Sequence, residues 1–435
     1  MRILLYFLIA TLGLIFWAKG FWGFCADNHA SAGAGLKLWL YKDFWPGPNR
    51  WEAKRQQLLQ LLGTTGCLLY MAIAILRITY IPMPDAVVLI LGRRAAFILL
   101  LFSLSLLTRC TLRQYITAML FLVPFVLEYL KSKDSAMLLC ALCLLCCAQL
   151  NLRFFLKCYI ILLAAIFSVC AVLSRCGVID GWVKYRDSSV GTFDGVKTPR
   201  YAMGFMHSNS TGLVLVLLLI GFILLRGGRL RWWDWPIGAI ALLLTYKVID
   251  SRGAVLLLIA FFAALQMLQS FPKLLKIKVM QLLLCTIPIF CAAISFAGAY
   301  FYDPLNPFWA AINRYSSTRL MCFSEALQTH EFTWLGQKFD PQFTLPLDNV
   351  YLHIYISAGA LLLGLFLIGT SLLLYRLAVL KAVPELALTI AMCVYCMLES
   401  YARWPYFNPS MWMLGWFMWG IRSKQYSLIC QHGNR

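Results

Sequence analysis

Apolar residues along this chain gather into long runs without a recurring polar face. The runs fall at about 3–18, 58–79, 95–108, 114–130, 136–152, 158–173, 207–225, 235–250, 253–270, 279–300, 350–374, 384–400 and 409–421. A helix that crosses a bilayer upright needs about 20 apolar residues, so the shorter runs must borrow flanking residues or re-enter the membrane. None alternates with period two, and lipid tolerates strands only in closed barrels. The pattern predicts an all-α polytopic integral membrane protein with about 12–14 transmembrane helices. No small-residue cleavage site follows 3–18, which reads as a first span.

Two stretches between the runs are long, 174–206 and 301–349. Loops longer than about 12–15 residues are usually functional or disordered, and these are rich in Trp, Tyr, Phe, Asp and Arg. Asn306-Pro307-Phe308-Trp309 and Glu331-Phe332-Thr333-Trp334 read as segments lying on the membrane face. The chain therefore divides into N-terminal helices with a basic loop (1–173), a loop (174–206), helices (207–300), a larger loop (301–349) and C-terminal helices (350–435). No internal repeat or soluble domain is visible.

Composition agrees. Hydrophobic residues make up 61% and charged residues 13%, where soluble domains carry about 25% charged. The formal net charge is +20. In a membrane protein such an excess first fixes topology, since Lys and Arg stay in cytoplasmic loops; nucleic acid is not an expected partner. One alternating set of loops (18–57, 109–113, 153–157, 226–234, 271–278, 375–385 and the tail) holds 21 of the 38 Lys and Arg but only 5 of the 18 Asp and Glu. That set is expected to be cytoplasmic, which puts the two long loops on the outer face. The 16 Cys lie mostly inside apolar runs and read as small hydrophobes, with no metal or disulfide framework expected.

The outer side then collects Arg200, Arg252, Arg314, Arg319 and Arg403 at helix ends. Ionisable residues at membrane depth are costly and mark function, although a single Arg there also snorkels to headgroups. Arg252 stands out, in the tight turn Asp250-Ser251-Arg252-Gly253 between two apolar spans. Guanidinium forks bind phosphate oxygens bidentately, so several converging forks would hold a diphosphate without a metal. Asp348, where loop becomes helix, fits either an N-cap or a general base. His353 follows five residues on. No Asp-x-Asp pair, His pair or phosphate-cradling glycine loop occurs in the outer loops, so ATP-driven transport by this chain alone is not expected.

Four segments in order resemble the Wzy-type polysaccharide polymerase and O-antigen ligase family of bacteria. They are Pro199-Arg200-Tyr201-Ala202-Met203-Gly204-Phe205-Met206-His207-Ser208-Asn209; Asp250-Ser251-Arg252-Gly253; Arg319 leading Met321–Leu327 and then Trp334-Leu335-Gly336; and Asp348-Asn349-Val350-Tyr351-Leu352 followed by Gly359. The likeness covers about 195–365. Ligase-like members often carry His where this chain has Asp348, which leans the reading toward a polymerase.

The resemblance implies a GT-C-like membrane glycosyltransferase of the cytoplasmic membrane, acting without metal or cofactor. Its donor and acceptor would be undecaprenyl-diphosphate-linked glycans of a capsule, exopolysaccharide or O-antigen system, handled among membrane lipids beside a flippase and a chain-length regulator. It implies Arg200 and Arg252 on the diphosphate, Asp348 activating the acceptor hydroxyl, and Arg319, Arg314, Tyr201, Asn349 and His353 binding substrate. Rival readings are a glycan ligase, a flippase or transporter, and a scaffold. A transporter predicts mid-span charges and often symmetric halves; here charges cluster at outer span ends, mid-span polar residues are few and no repeat is visible.

Overall fold

The computed structural model describes residues 52–82, 86–104, 112–132, 135–186, 198–316, 318–337 and 347–419. These form a bundle of helices. In order they are α1 (Glu52–Leu76), α2 (Ala86–Phe102), α3 (Leu112–Ser132), α4 (Ala136–Cys147), α5 (Leu152–Arg175), α6 (Ser208–Leu225), α7 (Asp234–Leu243), α8 (Arg252–Ser270), α9 (Lys278–Cys285), α10 (Ile287–Tyr300), α11 (Pro307–Tyr315), α12 (Arg319–Thr329), α13 (Val350–Val379), α14 (Val383–Tyr395) and α15 (Ser410–Trp419).

Six helical segments are long and apolar enough to cross a bilayer: Lys54–Leu76, Leu152–Arg175, Ser208–Leu225, Arg252–Ser270, Lys278–Tyr300 and Val350–Val379. Two shorter apolar helices, Ala136–Cys147 and Val383–Tyr395, accompany them. Large side chains such as Leu61, Ile161, Ile240 and Phe290 stay more than half exposed. An apolar surface of that extent is covered by lipid. The chain is a multi-pass membrane protein.

The described residues supply fewer spans than the 12–14 expected from apolar runs. The run at 3–18 lies outside them. The run at 235–250 is broken, because α7 passes into a π-helical turn at Leu244–Val248. The runs at 95–108 and 114–130 fall in α2 and α3, which carry Arg93 and Arg94, and Arg113, Glu128 and Lys131.

α4 is the centre of one half. It is buried from Leu138 to Cys147 and packs against α1, α2, α3 and α15. Gly415 of α15 makes that approach possible, since a Cβ there would sit 1.9 Å from the Leu144 carbonyl oxygen. Small residues let membrane helices touch backbone to backbone. In the other half α8 lies between α6 and α14, while α13 packs on α9, α10 and α14. Trp412 joins the halves: its ring meets Phe155 and Tyr159, each at 4.8 Å, and its Nε1 donates to the Pro405 carbonyl at 2.8 Å.

The long loops have structure of their own. In 174–206 two short strands, β1 (Val183–Arg186) and β2 (Thr198–Tyr201), pair antiparallel, with Lys184 opposite Arg200. The turn after β2 is pinned to the chain beyond α1, where Tyr80 N donates to Gly204 O and Met206 N to Ile78 O, both at 2.8 Å. Gly204 has φ +84° and a Cβ there would lie 2.6 Å from Cys170 O, so only glycine fits. In 301–349 the described part holds α11 and α12, and Phe308, Phe332 and Trp334 expose their rings.

Candidate functional site

One end of the bundle gathers the polar residues that the sequence separates. α6, α8, α12 and α13 begin there and α14 ends there, so five helix termini and the β-ribbon meet. Arg200, on β2, donates to Asn209 Oδ1 at 3.0 Å and to the Asp250 carbonyl. Its Nε stands 3.2 Å from the Asp250 carboxylate. Asn209, in the first turn of α6, donates at 2.8 Å to Glu399 Oε1. Arg319 reaches the same oxygen at 2.7 Å. It also touches Asp348 Oδ2 at 3.2 Å and the Leu398 carbonyl. The result is a continuous chain: Asp250, Arg200, Asn209, Glu399, Arg319, Asp348.

Local backbone explains the placement. Asp250 and Thr318 adopt left-handed conformations, φ 52° and 63°, and each turns the chain abruptly just before a helix. Arg252 and Arg319 thus become the first residues of α8 and α12. A cation at a helix N-terminus opposes the macrodipole, and these two combine with it into positive ends that favour anions. Gly212 lets Ser251 approach α6, and Gly253 lets Glu399 press on α8: a Cβ at 253 would lie 2.7 Å from Glu399 Cγ.

The two carboxylates beside Arg319 differ in environment. The Asp348 side chain is 27% exposed and that of Glu399 is 1% exposed. Burial pushes Glu399 up to about 7, against the pull of Arg319 and with a further push from Asp348. Its Oε2 and the nearby Tyr395 hydroxyl are buried with no hydrogen-bond partner among the described residues. His207, at the start of α6, has its imidazole held below its ordinary range by withdrawal from water and by Lys184, with Asp348 opposing and Arg200 adding to the effect.

Glu399 should leave a mark on stability. Its carboxyl keeps its proton in the folded protein at pH values where the unfolded chain has lost it. The folded state then binds more protons, so stability falls as pH rises from the ordinary carboxylate range through about 7. We expect the thermal midpoint of detergent-solubilised protein to drop between about pH 5 and about pH 8, and Glu399→Gln to drop less. Parallel curves for the two proteins would contradict this.

The residues expected from sequence are distributed as follows. Arg200, Arg319 and Asp348 share the network. Arg252 stands at its rim with an exposed side chain, next to the Gly253 that Glu399 abuts. Arg314 is exposed in the last turn of α11. Tyr201 is half-buried, its ring edge-on to Trp182 at 6.1 Å. Asn349, not Asp348, caps α13, accepting from Leu352 N at 3.1 Å and donating to Met397 O at 3.0 Å. It is 1% exposed, so its amide serves the fold. His353 lies one turn into α13, with Nδ1 3.1 Å from Ser357 Oγ. Arg403 stacks on Trp404 at 4.7 Å and lines an apolar cavity of about 60 Å³ between α3, α4, α13 and α15.

Glu399 was not singled out from the sequence, and Asn209 and Asp250 entered only as parts of the quoted segments, with no role of their own. A signal for Glu399 existed: it is an acid at the end of the run 384–400, where ionisable residues are costly. The motifs Trp334-Leu335-Gly336 and Gly359 prove to be one contact. α13 breaks at Gly359 (φ 91°, ψ 168°). Ala360 N and Leu361 N instead donate to Thr333 O at 3.0 Å and Trp334 O at 3.2 Å. Comparison with protein-family models, with curated proteins and with solved structures finds no match to this chain.

Proposed function

We propose that the protein is a glycosyltransferase that joins polyprenyl-diphosphate-linked repeat units into a polysaccharide at the outer face of the cytoplasmic membrane. One observation carries the reading. Arg200 and Arg319, from distant parts of the chain, converge on a single buried carboxylate, Arg319 directly and Arg200 through Asn209, and Arg319 also pairs with the more exposed Asp348. The opposite ends of the same helices carry Arg226, Arg229, Arg231, Lys273, Lys276 and Lys278, which supports an outward-facing site.

In this reaction the acceptor hydroxyl attacks the anomeric carbon of the donor. The new glycosidic C–O bond forms as the anomeric bond to the lipid diphosphate breaks. The diphosphate leaves with the electron pair, and Asp348 takes the hydroxyl proton. The leaving group needs its developing charge held. Guanidinium groups locked by Asp250, Glu399 and Asp348 cost little reorganisation at that moment, which is the source of electrostatic catalysis. Arg252, at the rim, completes the anion site from the N-terminus of α8.

Purified protein supplied with polyprenyl-diphosphate-linked repeat units should release lipid diphosphate and yield longer glycans. Absence of both products overturns the proposal. In the host, Arg252→Ala is expected to shorten the glycan ladder and Arg252→Lys to do so less, since Lys keeps the charge but loses the fork. Unchanged long chains, with the variant present in the membrane at normal levels, would remove Arg252 from the site.

A further inference from the structure

The spacing of cysteines in α4 does not by itself suggest a ligand, because no partner is close in sequence. The fold supplies one. Cys143 and Cys147 are four residues apart and lie on the same helix face. That face meets α1 at Cys67. The sulfurs of Cys67, Cys143 and Cys147 all lie within 4.8 Å of one another, and all three residues are fully buried. The Cys67 thiol donates to the Cys143 carbonyl at 4.0 Å. One turn earlier on α1, Gly63 allows the close approach, since a Cβ there would stand 3.0 Å from Cys146 Sγ.

We propose that Cys67, Cys143 and Cys147 form a trigonal binding site for one Cu(I) ion that staples α1 to α4. With metal–sulfur bonds of about 2.3 Å, a trigonal centre holds its sulfurs about 4 Å apart. The trio needs only a small closure to reach that spacing. Sulfur ligands select soft ions. Zn(II) asks for a fourth, tetrahedral ligand; the Cys146 thiol also stands beside Cys67, but among the described residues the three sulfurs that lie mutually close are those of the trio.

Cysteine binds a metal as its thiolate, so loading the trio releases thiol protons and should strengthen as pH rises. Access is short as well. Cys147 is the last residue of α4. The chain just beyond it forms a polar end, where Gln60 Nε2 donates to Gln149 O at 2.9 Å and Asn151 N donates to Gln60 Oε1 at 2.8 Å. This is the end opposite the arginine network. On the proposed orientation it faces the reducing cytoplasm, where thiols stay reduced.

The test uses the full chain in detergent with a non-thiol reductant. Cu(I) is supplied as its coloured bicinchoninate complex, and loss of colour reports transfer to the protein. We expect one Cu(I) per chain and, by X-ray absorption, a sulfur-only shell at about 2.3 Å. Cys67→Ser and Cys147→Ser should each weaken binding at least tenfold, while Cys140→Ser, outside the trio, should not. Should Cys67→Ser misfold, Cys147→Ser decides, read by the same colour change. No colour loss, equal binding by a folded Cys67→Ser or Cys147→Ser protein, or displacement by equimolar Zn(II) would each overturn the site.

Discussion

Arg319→Ala is expected to lower glycan polymerisation by about 10²–10³-fold, the usual cost of removing one charge-stabilising donor. The variant also tests the network itself. Arg319 is the partner shared by Glu399 and Asp348. Removing it leaves Glu399 with Asn209 as its donor in a site 1% exposed. Stripping one partner from a buried ion pair costs about 3–5 kcal/mol. Lower activity could then reflect lost protein, and the double variant Arg319→Ala/Glu399→Gln separates the two effects. A neutral Gln needs no counter-charge, so the double variant should recover protein level and thermal midpoint. It should not recover long glycan chains. Recovery of both would mean that Arg319 serves only to neutralise Glu399, and would take it out of the proposed diphosphate site.

Gly359→Ala should be the most disruptive single change in α13. Its φ of 91° with ψ 168° lies where only glycine is comfortable, and a side chain there costs about 1–3 kcal/mol in backbone strain alone. The surroundings add to this. A Cβ would stand 2.3 Å from Gly336 N and 2.4 Å from Trp334 O. The segment 333–337 would have to leave the break in α13, and the bonds from Ala360 N and Leu361 N would go with it. Those donors then lie at a lipid-covered depth, where unsatisfied backbone is expensive. We expect little protein to reach the membrane, and the remainder to unfold at least several degrees lower, as measured by scanning fluorimetry. Gly364→Ala, five residues on with no atom within 4 Å of its Cβ position, is the matched control and should be nearly silent. Equal behaviour of the two variants would show that the contact between the segment and the helix break does not hold in the protein.

Much of the site was readable in advance, but as separate pieces. Arg200, Arg319 and Asp348 were identifiable because charge near apolar runs is costly and conspicuous. Their convergence was not, because it runs through Glu399 and Asn209, whose roles come from what surrounds them. Asp348 and Asn349 show the limit of local rules. Both are good N-cap residues, and their order in the chain does not say which one turns inward. Burial settles it: Asn349 caps α13 and is engaged on Met397, leaving Asp348 to face Arg319.

By itself the sequence determined that this chain lives in lipid, that its helices are long and apolar, and that one set of loops is basic. These properties depend on transfer of residues between water and bilayer, which each segment feels independently of its neighbours. Only the tertiary structure decided which distant residues share an environment. It set Glu399 between Arg319 and Asn209, Cys67 over Cys143 and Cys147, and Gly336 against Gly359. Such pairings depend on lateral packing of helices and on where a backbone can pass another without a side chain. Neither quantity has a period or a spacing along the chain.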